Sequence, residues 1–233
     1  MMQNKATHGK FGLYLAGAAG IFMTVSQYMI FAYAPEERVM GIIQKIFYLH
    51  LPLAWWALCS FFLVFLGSIF YLLKPSAFWD ALNEAAAETG LLMAMLSLLT
   101  GSIWARFSWN TWWSWDPRLS TTLILCFIYA AWLLIRRTLA HAERRGTISA
   151  VLGILAFLDV PLVFFSTRLW PQTLHPDLIG KSDSLSGSML VTLGFSLAGI
   201  GLFWVSLLCL RYRLGRMEQR LLRQQIKRTV YDG

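Results

Sequence analysis

Six long stretches with no charge, or almost none, decide what this chain can fold into. They cover residues 11–34, 51–73, 90–105, 119–135, 148–167 and 188–210. A helix that crosses a bilayer needs about 20 apolar residues. The third stretch is short, but alanines at 85–87 extend it. Charged residues make up only 14% of the chain, against about 25% in a typical soluble domain. A soluble globule, a disordered tail and a fibrous protein are all excluded. The expected fold is all-α: an integral membrane protein with six transmembrane helices. A chain of 233 residues then has no room for a separate soluble domain. Residues 1–210 form the bundle and residues 211–233 a basic tail.

The loops between the runs carry Lys and Arg unevenly. If the N-terminus is cytoplasmic, fourteen fall inside: Lys5, Lys10, Lys74, Arg136, Arg137, Arg144, Arg145 and the tail residues Arg211, Arg213, Arg216, Arg220, Arg223, Lys227 and Arg228. Six fall outside: Arg38, Lys45, Arg106, Arg118, Arg168 and Lys181. The positive-inside rule therefore puts both termini in the cytoplasm. On this reading the net charge of +8 is topology and not a nucleic-acid footprint. The first run is too long for a signal-peptide core of roughly 7–15 residues, so it is read as a retained helix. In the tail, Leu214, Met217, Leu221 and Val230 recur near helical spacing among basic residues. That pattern suits an amphipathic helix on anionic lipid, or a docking helix for a cytoplasmic partner.

Much chemistry is absent. No GxxxxGK[ST], HExxH or GxSxG motif occurs, and no CxxC or CxxCH. Cys59, Cys126 and Cys209 lie inside apolar runs and read as packing residues. The chain therefore has neither an ATPase site nor a zinc or redox centre of its own.

Three features remain, all on the outer side of this topology. Residues 104–120, between the third and fourth helices, form an external loop holding five of the eleven tryptophans: Trp104, Trp109, Trp112, Trp113 and Trp115. Arg106, Asp116 and Arg118 are interspersed among them. His50 stands at the mouth of the second run, and His175 lies between the fifth and sixth. One or two tryptophans at such a boundary are ordinary belt residues. Five in twelve positions make a broad aromatic shelf. The other two of the four histidines, His8 and His141, fall inside. A ligand for this set is flat and apolar, to stack on indoles. It carries anionic groups for Lys45, Arg106 and Arg118, and it accepts imidazole from two sides. Haem meets all three demands. A quinone or lipid uses the shelf but has no need of two histidines.

The stretch from Trp109 through Thr111, Trp112, Trp113, Ser114, Trp115 and Asp116 to Arg118, Leu119 and Ser120 resembles the tryptophan-rich "WWD" signature of haem-handling proteins in cytochrome c biogenesis. Tyr48-Leu49-His50-Leu51-Pro52 and Trp170-Pro171-Gln172-Thr173-Leu174-His175 resemble the two external histidine motifs of one branch, haem exporter protein C (CcmC). Ala105 and Asn110 stand where the family usually has glycine. The resemblance implies a six-helix protein of the bacterial inner membrane. It would hold haem b transiently and without a covalent bond, and hand it to a periplasmic haem chaperone for cytochrome c maturation. The implied partners are an ATP-binding subunit, a second membrane subunit and a small one-helix subunit. His50 and His175 become axial ligands of the iron, and Trp109, Trp112, Trp113 and Trp115 the platform. Asp116 fixes the loop or meets the chaperone, and Lys45, Arg106 and Arg118 are propionate partners. Two rivals stand beside this: a cytochrome c synthase subunit, and a permease subunit for another apolar solute. Asp159, in the fifth run two residues before Pro161, is expected to face the bundle, as a protonated hydrogen-bonded acid or as a relay or hinge.

Overall fold

A computed structural model describes residues 3–38, 40–139, 141–170 and 185–231. Apart from one isolated bridge pairing Glu37 with Gly41, the described residues are helical or irregular. The helices are α1 (Gln3–Tyr28), α2 (Phe47–Leu73), α3 (Ala77–Trp109), α4 (Pro117–Thr138), α5 (Ala142–Ala156), α6 (Asp159–Leu169) and α7 (Gly187–Tyr231). A π-helical turn, Met29–Tyr33, ends α1, and a 3-10 segment, Ile42–Ile46, leads into α2. All six expected spans are present. Phe11–Tyr33, Ile42–Leu73, Ala77–Trp109, Pro117–Thr138, Glu143–Leu169 and Gly187–Leu221 are each long and apolar enough to cross a membrane.

The helix ends follow from local chemistry. Ser76 caps α3, its hydroxyl accepting the Trp79 N–H at 3.4 Å, and Asp80 lies in the first turn, where the helix dipole favours an anion. The fifth span is built from two helices. Pro161 has no N–H for the Phe157 carbonyl, which instead accepts the Val160 N–H at 3.0 Å. The span breaks there, and Asp159 becomes the first residue of α6. Asp159 is buried, as expected, but its Oδ2 has no hydrogen-bond partner. Beside the break, Phe157, Val160, Pro161, Phe164 and Phe165 face Trp55, Leu58, Cys59 and Phe62 across a groove of about 330 Å³. The tail is continuous with α7. At about 1.5 Å per residue, this 45-residue helix is far longer than the apolar layer is thick. Leu214, Met217 and Leu221 stay exposed on it.

Helices α2 and α3 form an antiparallel hairpin at the centre, with α1 and α7 on one flank and α4, α5 and α6 on the other. Close approach within the hairpin depends on small residues. A Cβ added at Gly90 would lie 2.6 Å from the Ser60 Cβ and 2.8 Å from the Phe61 ring. Aromatic stacking fills the core, with the Phe61 and Tyr129 ring centroids 3.9 Å apart and Trp56 and Trp204 4.8 Å apart. The indole N–H groups reach acceptors: Trp204 donates to Ser60 at 2.6 Å, Trp132 to the Ser149 carbonyl at 2.7 Å and Trp56 to the Leu197 carbonyl at 3.0 Å. Such bonds count in lipid, where no water substitutes for a missing partner. Cys126 is buried, Cys59 and Cys209 are partly so, and all three are free thiols.

One end of the bundle is closed by ion pairs. Asp80, Glu84 and Glu88 recur every fourth residue on one face of α3. Arg136 from α4 donates to Asp80 at 2.7 Å and to Glu84 at 3.1 Å. Arg145 from α5 lies 3.7 Å from Asp80, and Gln219 from α7 donates to Asp80 at 2.9 Å. Glu88 takes Arg211 from α7 and, at 3.7 Å, Arg137. The first part of the basic tail is thus packed on α3 through residue 219.

The side chain of Arg136 is only 2% exposed and that of Asp80 only 10%. Replacing Arg136 by Met strands buried acid, and the expected cost is about 3–5 kcal/mol. Thermal unfolding of the detergent-purified protein measures it. Adding Asp80→Asn to Arg136→Met should recover part of the loss. A single variant as stable as the parent would show that the cluster does not hold the four helices together.

Candidate functional site

The opposite end of the same hairpin carries the residues singled out from sequence. His50 lies in the first turn of α2, and Ser97, Thr100, Gly101 and Trp104 lie along α3 facing it. The spacing 97, 100, 101, 104 is one helical stripe. The His50 Nδ1 is 3.0 Å from the Ser97 carbonyl and 3.2 Å from the Thr100 hydroxyl. Trp104 meets the imidazole edge-on, with centroids 5.8 Å apart and planes at 77°. Phe47 also meets Trp104 edge-on, with ring centroids 6.1 Å apart. His50 is therefore a half-buried, oriented imidazole and not a solvated loop residue.

The aromatic loop is shorter than the sequence suggests. Helix α3 runs through Trp104, Arg106 and Trp109, and α4 begins at Pro117, so only residues 110–116 are non-helical. Ala105 explains part of this, since alanine favours the helix where glycine would weaken it. Asn110 then ends the helix at φ 56°, ψ 25°, in the left-handed region. After glycine, asparagine tolerates that conformation best. The Arg106 guanidinium donates to the Asn110 side chain. The Thr111 hydroxyl donates to the Trp113 carbonyl at 2.7 Å, tightening the turn. Asp116 is buried and caps α4, accepting the Arg118 N–H at 2.9 Å, with Pro117 at the first helical position.

With both ends of the loop fixed, the tryptophans divide. Trp112 and Trp115 are 60% and 79% exposed. Trp113 turns inward and meets Trp115 edge-on at 5.8 Å. Trp109 is half-buried. The indole N–H groups of Trp104 and Trp113 are buried without a hydrogen-bond partner, so two donors here lack an acceptor.

The three cations have protein partners. Lys45 donates to the Phe31 carbonyl at 3.2 Å and lies 5.9 Å from the centroid of the Phe31 ring. Arg118 donates to Ser166 and Thr167, each at 3.2 Å, and to the Phe164 carbonyl at 3.4 Å, tying α4 to the last turns of α6. Arg106 has Asn110. His175 lies outside the described residues. The flanking residues Trp170 and Leu185 are described, and Leu185 packs with Trp104 against the cluster of Ile30, Phe47, Tyr48 and Met189. Among the described residues, no three His, Cys, Asp or Glu side chains gather as a metal site.

Two parts of this architecture were not anticipated from sequence. One is the acidic ladder on α3, whose signal is the spacing of Asp80, Glu84 and Glu88. The other is the polar stripe under His50, whose signal is Ser97, Thr100 and Gly101 one helical turn apart.

Comparison with known proteins gives a consistent answer. The family model for Heme exporter protein C matches residues 3–228. Heme exporter protein C of Bradyrhizobium diazoefficiens is 30% identical over 217 residues, covering 92% of this chain and 80% of that protein. The Rhodobacter capsulatus protein of the same name is 28% identical, covering 82% of this chain and 80% of its own. That of Escherichia coli K12 is 27% identical, covering 88% and 83%. With a family model matched over nearly its whole length and a relative 30% identical over 92% of it, this chain belongs to the heme exporter protein C family.

Proposed function

We propose that this chain takes up haem at the tryptophan-loop end of the bundle and delivers it to a periplasmic haem chaperone for cytochrome c maturation. The observation that carries the reading is the pairing of His50, held edge-on to Trp104, with exposed indoles on the loop continuous with the same helix. An oriented imidazole beside a fixed aromatic surface suits a flat macrocycle with an open axial position. The names of the relatives point the same way.

In this reading His50 is one axial ligand and His175 the other. Trp109, Trp112, Trp113 and Trp115 form the platform. Exposed indoles suit a cargo that is held without a covalent bond and then surrendered. The cargo is haem b. Lys45, Arg106 and Arg118 serve the propionates, and for each of them the partner seen here is what a propionate would compete with or share. Asp116 acts through the loop it caps, holding Trp115 outward. The chain supplies no ATPase site, so hydrolysis falls to a separate ATP-binding subunit. A second membrane subunit and a small one-helix subunit complete an ABC-type assembly. Both termini lie in the cytoplasm and the tryptophan loop faces the periplasm, across the bacterial inner membrane.

The orientation is tested by reporter fusions. Those after Arg145 and at the C-terminus are expected to report cytoplasm, and one inserted near Trp113 the periplasm. A periplasmic C-terminus would overturn the topology.

Haem binding is tested by comparing His50→Ala, His175→Ala, His8→Ala and His141→Ala at matched protein levels. The first two should each empty the site or shift the Soret band, with partial recovery in exogenous imidazole. The last two should match the parent. Parent-like spectra for both His50→Ala and His175→Ala would exclude ligation by either.

The platform is tested by replacing Trp112, Trp113 and Trp115 together with Ala. Each aromatic contact contributes about 0.5–1.5 kcal/mol beyond area burial. The triple variant should insert normally and retain several-fold less haem after purification. Unchanged haem content and chaperone loading would reduce these tryptophans to a membrane belt.

A further inference from the structure

The contacts of His50 say more than that the ring is oriented, because they fix where its proton sits. A carbonyl oxygen has lone pairs and no hydrogen to give. The 3.0 Å contact between Nδ1 and the Ser97 carbonyl is therefore a hydrogen bond only if Nδ1 carries the proton. Thr100 leads to the same conclusion. Its hydroxyl lies 2.9 Å from the Leu96 carbonyl and 3.0 Å from the Ser97 carbonyl, so its single proton points back along α3. The side of Thr100 Oγ1 that faces Nδ1, at 3.2 Å, is then an acceptor. Two acceptors converge on one ring nitrogen, and in the neutral imidazole both select the tautomer with hydrogen on Nδ1, which puts the lone pair on Nε2.

Gly101 makes this possible sterically. A Cβ at that position would lie 3.0 Å from the His50 Cε1 and 3.5 Å from its Nδ1. A side chain there crowds the ring, which must shift by a few tenths of an ångström. Glycine is unfavourable inside a helix, and this notch is the reason the position tolerates it. Trp104, edge-on to the ring, packs beside the same seat.

We propose that Thr100 and Gly101, acting with the Ser97 carbonyl, are positioning residues that lock His50 in the Nδ1–H tautomer and present Nε2 as the ligand atom for haem iron. The proposal rests on the reading that His50 is an axial ligand. A ligating histidine whose other N–H is bonded to a carbonyl is a more basic and better oriented donor. Loss of such a partner typically costs 10–100-fold in metal affinity. The seat sets that donor strength from within the membrane helix, away from the haem face.

The test uses the full-length protein in detergent, with 15N-labelled histidine. In the haem-free protein, two-bond 1H–15N correlations should show His50 with hydrogen on Nδ1. Gly101→Ala should release the ring into a mixture of tautomers. Its haem affinity should fall roughly 10–100-fold, with a Soret shift that added imidazole reverses. Thr100→Val, nearly isosteric and expected to insert normally, should move the same readouts in the same direction to a smaller extent. Thr100→Ser, which keeps the hydroxyl, should restore them. An Nε2–H tautomer in the haem-free parent would overturn the proposal. So would a Thr100→Val variant whose tautomer and spectrum match the parent. His50→Ala separates the two layers: if it keeps the parent spectrum, the ligand reading fails and the seat fails with it. If His50→Ala loses the haem signal while Gly101→Ala and Thr100→Val leave tautomer and affinity unchanged, only the seat fails.

Discussion

The guanidinium of Arg136, buried against Asp80 and Glu84, is the contact on which the rest of the bundle depends. Between helices in lipid there is no hydrophobic drive to associate, because the acyl chains are as apolar as the side chains. Position has to come from shape and from polar bonds. Here the acidic ladder of α3 collects α4 through Arg136 and Arg137, α5 through Arg145, and α7 through Arg211 and Gln219. An isolated buried charge would be costly. Asp80 avoids that by meeting three partners from three helices. The cost of desolvating these groups is offset only when all the helices are in place, so the cluster favours one arrangement over others.

That arrangement reaches the other end of the molecule through α2 and α3. The two helices approach closely because Gly90 has no side chain to keep Phe61 away. The same approach brings His50 against Ser97, Thr100 and Gly101. The pairing of α2 with α3 is thus fixed by small residues in the middle and an imidazole seat at one end, while the ions at the other end tie α3 to α4, α5 and α7. Helix α4 is held similarly at both ends, by Arg136 near its last turn and by the bonds of Arg118 to α6 near its first. The tryptophan loop is suspended between two anchored helices, with Asn110 and Asp116 as its end fittings.

The spans and their number were readable because an uncharged run of helical length has few other fates. The break in the fifth was signalled by Asp159 and Pro161, though only the structure shows two helices there. The loop boundaries were misjudged by several residues on the α3 side, since a tryptophan-rich stretch has no periodic apolar face to mark where a helix ends. The ion cluster was hidden for a different reason. Arg136, Arg137, Arg145 and Arg211 were read as topology signals, which treats each charge as solvated, while their partners lie more than forty residues away in sequence. Long-range pairing of that kind leaves only the four-residue spacing of the acids as a trace. The seat of His50 left a similarly faint trace, the spacing of Ser97, Thr100 and Gly101, because Ser97 takes part through its backbone carbonyl, which no side-chain motif encodes.

The exposed indoles show how the two ends work together. Trp112 and Trp115 stand 60% and 79% exposed although burial would be favourable for both. A flexible loop would fold them inward. This loop does not, because its residues are already committed: Asn110 to the helix end, Thr111 to the Trp113 carbonyl, Asp116 to the amide of Arg118. Trp113 is partly buried and meets Trp115 edge-on. Apolar surface held out against its own tendency to collapse is ready for a planar apolar partner without rearrangement, and it regains its exposure when that partner leaves. A firm clamp would require the loop to close, and the bonds at both of its ends resist closing. The geometry therefore keeps an aromatic face exposed beside an oriented imidazole.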